Sequence, residues 1–133
     1  MRRRRLDIVS RNYPYLVAEC AGEVVGYAYA SPYRLRPAYR YTAENSVYLH
    51  PAWSGRGIGR QLMSALLAEC EPRGLRQIVA VIGDSANCAS IGLHKSLRFR
   101  KVGVFRSVGF KFGRWVDSVL MQRDLGAGDS TPP

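Results

Sequence analysis

The sequence has no apolar run near the roughly 20 residues a bilayer-spanning helix needs, which excludes such a helix. It is also poor in cysteine, with Cys20, Cys70 and Cys88 far apart. None belongs to a Cys-x-x-Cys pair or lies at metal-ligand spacing from a histidine, so neither a disulfide framework nor a metal centre is expected. The three thiols read as small buried hydrophobes in a reducing cytoplasm. Acidic residues are scarce too: there are 10, against 20 lysines and arginines, for a formal charge of +10. Such a field concentrates anionic partners. No zinc-finger or RNA-binding signature accompanies it, so nucleic acid is not the expected partner, whereas a small phosphorylated ligand would feel the same field. The opening arginines, Arg2 to Arg5, run into Leu6, Asp7 and Ile8 instead of a long apolar stretch, and they do not read as a signal peptide.

The chain's 133 residues fit one domain. Residues 1–13 form a basic segment expected to fray into solvent, 14–125 the domain, and 126–133 a small, polar, proline-ended tail expected to be disordered. Tyr15 to Cys20 and Val24 to Ser31 read as a β-hairpin around Ala21, Gly22 and Glu23. Pro32 and Pro37 bracket an Arg- and Tyr-rich connection. From Thr42 to Leu49 the sequence alternates, with Glu44 on one face and Asn45, Val47 and Leu49 on the other. Pro51 ends that strand. Ile58, Leu62, Met63, Leu66, Leu67 and Cys70 then trace one face of a helix closed by Pro72 and Gly74. Gln77 to Ile82 has the length and β-branching of a buried strand, which completes a βαβ unit. A further helix, Ala86 to Leu97, is expected to be capped by Asp84 or Ser85, with Ala86, Ala89 or Ser90, Leu93 and Leu97 on its core stripe. Val102 to Phe110 and Arg114 to Met121 are expected strands with a turn near Gly113.

The chemistry concentrates between Gly55 and Arg60. Backbone that wraps a diphosphate needs residues without a Cβ, and a helix N-terminus offers free amides with a favourable dipole. There is no Gly-Lys-Ser/Thr ending of a triphosphate loop, and residue 60 is Arg where a dinucleotide fingerprint has its third Gly. By themselves the glycines are equally compatible with a tight strand-to-helix turn.

The ordered set of segments resembles the GNAT superfamily of acyl-coenzyme A-dependent N-acetyltransferases, and within it the phosphinothricin N-acetyltransferase family. The segments are Val25 to Ala30, Arg36-Pro37-Ala38-Tyr39-Arg40 leading to Glu44 to Tyr48, and Gly55 to Arg60. They continue through Ala80 to Gly83, Asn87, Ser90, Leu93-His94 and Phe99 to Gly113 to Asp117. The resemblance implies an α/β single-domain GNAT fold, a mixed, mostly antiparallel sheet flanked by helices. It implies acetyl-CoA as co-substrate with no metal, held by Val47, Leu49, Arg56, Gly57, Gly59, Arg60 and Asn87. It further implies a small-molecule acceptor with a primary amine, of phosphinothricin or methionine sulfoximine type. A homodimer is expected separately, to cover the unpaired edge that a missing strand would leave on the hairpin from Tyr15 to Ser31. Glu44 would serve as general base, since an ammonium must lose a proton before it attacks. His94 would act in catalysis or touch the substrate. Arg36, with Arg34 and Arg40 as lesser alternatives, would clamp the acceptor's acid group, and Tyr39 and Trp115 would line its pocket.

Three departures stand out. Ser54 replaces the Gln or Arg that usually opens the glycine loop. Arg98 replaces a glycine before Phe99, so a positive φ there would strain the turn by about 1 kcal/mol. Ahead of Tyr15 the family's first strand and the two helices after it have no counterpart, Arg2 to Arg11 resembling what is left of the second helix. The fold is thus expected to be N-terminally shortened, and a non-catalytic acyl-CoA-binding remnant is the competing expectation.

Overall fold

The computed structural model describes residues 2–133. Its six strands are β1 (Tyr15–Cys20), β2 (Glu23–Pro32), β3 (Thr42–Leu49), β4 (Gln77–Gly83), β5 (Arg100–Lys111) and β6 (Arg114–Asp124). They form one sheet in the order β1-β2-β3-β4-β6-β5. Every pairing is antiparallel except β3 with β4. That one parallel step requires a crossover, which helix α2 (Ile58–Cys70) supplies.

Of the expected helical stripe of α2, Leu62, Met63, Leu66, Leu67 and Cys70 are buried, while Ile58 at its first residue is half-buried. This face packs on Ala28, Ala30 and Ala43, whose small side chains let the helix close on the sheet. Each large side chain buried there contributes roughly 1.5–3 kcal/mol. Gly26 is needed where β2 pairs with β3, because an added Cβ would lie 2.7 Å from the Tyr48 carbonyl oxygen. Helix α3 (Cys88–Ser96) covers the same face of the sheet with His94. It starts two residues later than the sequence pattern indicated, and Asp84 and Ser85 do not cap it. Asn87 does, its side chain accepting from the Ser90 amide, while Asp84 accepts from the Ala86 amide. The core stripe is correspondingly shifted: Ala86 and Ala89 are exposed, and His94 and Leu97 are buried.

On the opposite face, Tyr15, Tyr27, Tyr29 and Tyr48 stack with ring centroids 5.3 to 6.3 Å apart. Helix α1 (Arg2–Ser10) lies on this tyrosine surface. The Arg4 guanidinium donates to the Tyr29 hydroxyl at 3.3 Å, Arg5 sits 5.8 Å from the Tyr15 ring centre, and Ile8 is buried. The basic segment expected to fray is therefore helical, because aromatic faces give its arginines partners other than water. The tail differs from its expected disorder in the same way. Arg76 donates to the carbonyls of Gly128, Thr131 and Pro132, and Leu125 is fully buried. Arg98 has φ 69°, the strained turn that its replacement of glycine foretold.

Candidate active site

β3 and β4 pair from Thr42–Gln77 to Asn45–Ala80 and then part. β2 holds the rest of β3 as far as Leu49, and β6 holds β4 as far as Gly83, so the two strands diverge while each stays anchored on its outer side. Their inner backbone groups beyond Asn45 and Ala80 have no partner across the gap. Buried backbone polar groups need partners, so this gap suits a ligand that carries amides of its own. A cavity of about 250 Å³ fills the divergence. Ser46 and Val47 line one side and Val81, Ile82 and Gly83 the other, with Asn87 and Ser90 of α3 closing an end. Leu49 ends β3 beyond it.

The glycine loop precedes α2. Gly55 and Gly57 have φ of 76° and 78°, the left-handed region that glycine enters without steric cost, and Gly57 is the helix N-cap with no side-chain cap. Among the described residues, the amides from Gly55 to Arg60 find no acceptor. The exposed Arg56 and Arg60 add charge to these free amides, with Arg56 stacked 4.7 Å from the Trp53 ring centre. This is the chemistry of an anion site. An added Cβ on Gly59 would sit 3.6 Å from Leu93, so the loop also abuts α3.

A second cavity, of about 340 Å³, opens on the other face of the sheet. Val79, Val102, Phe105 and Leu120 give it an apolar wall, and Tyr33 and Arg34 approach from the β2–β3 connection. Glu44 and Val81 border both cavities. Burial pushes the Glu44 carboxyl above its ordinary range, and the positive charge of Arg34 pulls in the opposite direction. A carboxylate with raised proton affinity at the junction of two cavities is suited to proton abstraction.

His94 lies beneath the first cavity, 2% exposed, with both ring nitrogens engaged. Nδ1 is 2.7 Å from the Ser90 carbonyl oxygen and Nε2 is 3.1 Å from Asn45 Nδ2, while Phe99 packs edge-on against the ring. Burial pushes its pKa down. It forms part of the cavity floor, and neither nitrogen is free for a substrate. Arg36, Tyr39 and Trp115 border neither cavity. Arg36 precedes the short 3-10 turn Pro37–Tyr39, Tyr39 packs edge-on against Tyr33, and Trp115 packs on Phe110 at the exposed end of the β5–β6 hairpin. Asn45, Ser90 and Tyr33 line these cavities without having been singled out for a role in the sequence, and Arg34, the lesser alternative there, lines the second while Arg36 does not. Asn45 left a signal, a polar residue on the apolar face of an alternating strand. Among the described residues, no cluster of three or more His, Cys, Asp or Glu could hold a metal ion, and no helix is long and apolar enough to cross a membrane.

The model of the Acetyltransferase (GNAT) family matches residues 2–99. The chain belongs to this family. Its six-stranded, mostly antiparallel sheet with flanking helices is the GNAT fold. The chain is 54% identical over all its 133 residues to a phosphinothricin N-acetyltransferase of Alcaligenes faecalis, of which it covers 68%. It is 48% identical over 113 residues, 85% of its length, to an L-methionine sulfoximine/L-methionine sulfone acetyltransferase of Salmonella typhimurium, of which it covers 66%. The chain thus spans about two thirds of the length of these relatives. In structure it is similar to a GNAT superfamily phosphinothricin acetyltransferase from Sinorhizobium meliloti, solved in complex with AcCoA. The TM-score is 0.96 at 47% identity, over 100% of this chain and 72% of that one.

Proposed function

We propose that this chain transfers the acetyl group of acetyl-CoA to the primary amine of a small amino-acid-like acceptor of phosphinothricin or methionine sulfoximine type. The observation that carries the reading is Glu44, which borders a cavity on each face of the sheet. The gap between β3 and β4 suits the pantetheine arm, whose amides would meet the unpaired backbone around Val47 and Leu49, with Asn87 beside them. The free amides from Arg56 to Arg60 and the two arginines suit the pyrophosphate. The acceptor then enters from the opposite face, with its amine toward Glu44, its acid group toward Arg34 and its side chain on the apolar wall. This moves the acid clamp from Arg36 to Arg34. Tyr39 keeps a place at the rim of the acceptor site through its contact with Tyr33, and Arg36 and Trp115 are given no part in it.

Glu44, directly or through a water, takes one proton from the ammonium. The freed amine attacks the acetyl carbon, the new N–C bond forms, the C–S bond breaks, and the second amine proton ends on the coenzyme A sulfur. An unpaired backbone N–H in the gap supplies the oxyanion donor. His94, with both nitrogens occupied, supports the floor of the gap and is given no part in proton transfer.

The unpaired Cys20, Cys70 and Cys88 support a cytoplasmic setting. The outer edge of β1, which pairs only with β2, supports a homodimer, and sedimentation of a clean monomer would overturn that. Residues 14–125 act as the catalytic domain, with α1 packed on it. The function is tested by coenzyme A thiol release with acetyl-CoA over a panel of amino acids and their sulfone, sulfoximine and phosphinate analogues. Turnover of one of these amines is expected. Acetyl-CoA binding without turnover of any amine would overturn the reading.

A further inference from the structure

Asn45 is an amide on the buried face of β3, between Ala43 and Val47, and only 6% exposed. It stands at the last residue pair before β3 and β4 diverge. Burial of an amide is unfavourable unless it is hydrogen-bonded, so its partners define its purpose. The Ser90 carbonyl, 2.7 Å from His94 Nδ1, can only accept. Nδ1 therefore carries the proton, and in the neutral ring Nε2 is a bare acceptor. The atom 3.1 Å from Nε2 is Asn45 Nδ2, a donor, which also lies 3.7 Å from Met63 Sδ. The other end of the amide, Oδ1, is buried without a partner. The orientation of the amide is thus set by what its nitrogen gives away.

The resulting chain links Ser90 and His94 of α3, Asn45 of β3 and Met63 of α2 at the vertex of the gap. α3 carries Asn87 and Ser90, which close one end of the first cavity. The geometry assigns Asn45 as a positioning residue of the acyl-donor site: by donating to His94 it fixes the imidazole as the Nδ1–H tautomer and seats α3, with Asn87 and Ser90, at the working distance from β3. This rests on the reading of the gap as the acetyl-CoA site. A charged imidazole would turn a second N–H toward Nδ2, so the arrangement also requires His94 to stay neutral. Its surroundings agree, since Asn45, Met63, Phe99 and the Ser90 carbonyl are all uncharged.

The test has two arms. Long-range ¹H–¹⁵N spectra of the wild-type protein at neutral pH should show His94 as the Nδ1–H tautomer, with the Nε2 resonance displaced in Asn45→Leu. In steady-state kinetics Asn45→Leu should raise KM for acetyl-CoA about tenfold, the scale of one hydrogen bond, with a much smaller change in kcat. His94→Leu should do the same, and the double variant should be little worse than either single one, because both remove one link. Asn45→Ser, which keeps a donor, should recover part of the loss. An Nε2–H or charged His94 overturns the assignment, as do multiplicative effects of the two substitutions or a loss confined to kcat. The tautomer decides alone where Asn45→Leu does not fold. Failure of the wild-type protein to bind acetyl-CoA in calorimetry would overturn the functional reading, whereas binding with the wrong tautomer overturns this inference only.

Discussion

Arg34 and Glu44 border the same cavity, and the charge of the guanidinium opposes the burial that pushes the Glu44 carboxyl upward. Burial is the larger of the two influences, and Arg34 offsets part of it. The proposed base thus has a charged neighbour that tunes its proton affinity.

Glu44→Gln keeps shape and hydrogen-bonding capacity and removes the charge. Acetyl-CoA affinity should hold, and turnover at neutral pH should fall by roughly 100-fold or more, the usual scale for general-base assistance. Raising the pH should restore part of it, since more of the amine is then already deprotonated. The fold should not suffer. With the folded pKa above the unfolded one, the stability due to the protonated carboxyl is present below the unfolded pKa and lost as pH rises through the folded pKa. At neutral pH the ionised carboxylate therefore works against the fold, and thermal melts should find the glutamine variant at least as stable.

Arg34→Met removes the influence that lowers the Glu44 pKa. The acidic limb of the kcat/KM profile should move to higher pH, and KM for an acceptor bearing an acid group should rise about tenfold or more. The same limb in Arg36→Met should stay in place. A shift in the Arg36 variant and none in the Arg34 variant would return the clamp to Arg36.

Gly57→Val tests the anion loop. An added Cβ meets no protein atom within 4 Å, so the penalty to the free protein is backbone strain at φ 78°, about 1–2 kcal/mol. Acetyl-CoA binding should fall much further, because the side chain enters space next to the free amides. Calorimetry and melting on the same sample separate the two effects. A folded variant with wild-type affinity would remove the loop from the site.

Arg98→Gly should stabilise the protein, by about 0.5–1 kcal/mol, as a left-handed φ of 69° passes from an arginine to a residue that adopts it freely. Denaturant melts should show the gain, and KM and kcat should not change.

Much of the fold was legible because its main signals are local. The alternation in β3, the apolar stripe of α2 and the proline and glycine that close it each rest on a few neighbouring residues. The resemblance pointed to a helix at the N-terminus, but composition alone expected both ends to be loose, because composition speaks of solvent and not of partners. Nothing near Arg4 and Arg5 in sequence announces Tyr29 and Tyr15, and nothing in the glycine-rich tail announces Arg76. The site was legible in part for the same reason. Glu44 and the glycine loop lie on segments with their own pattern, whereas the tie from Asn45 to His94 spans 49 positions. That Arg34 borders the second cavity and Arg36 does not is a matter of how the β2–β3 connection bends, which no local pattern announces.

Arg76 gathers the C-terminal segment with a single side chain, whose guanidinium donates to Gly128, Thr131 and Pro132, while its own backbone carbonyl accepts from the Leu125 amide. A guanidinium keeps its charge throughout the range in which a carboxylate or an imidazole titrates. The tether and the reaction centre therefore answer to different variables. Acid that protonates Glu44 leaves the C-terminal end of the molecule fastened, and a protease acting on that end should find it no more open at pH 5 than at pH 8.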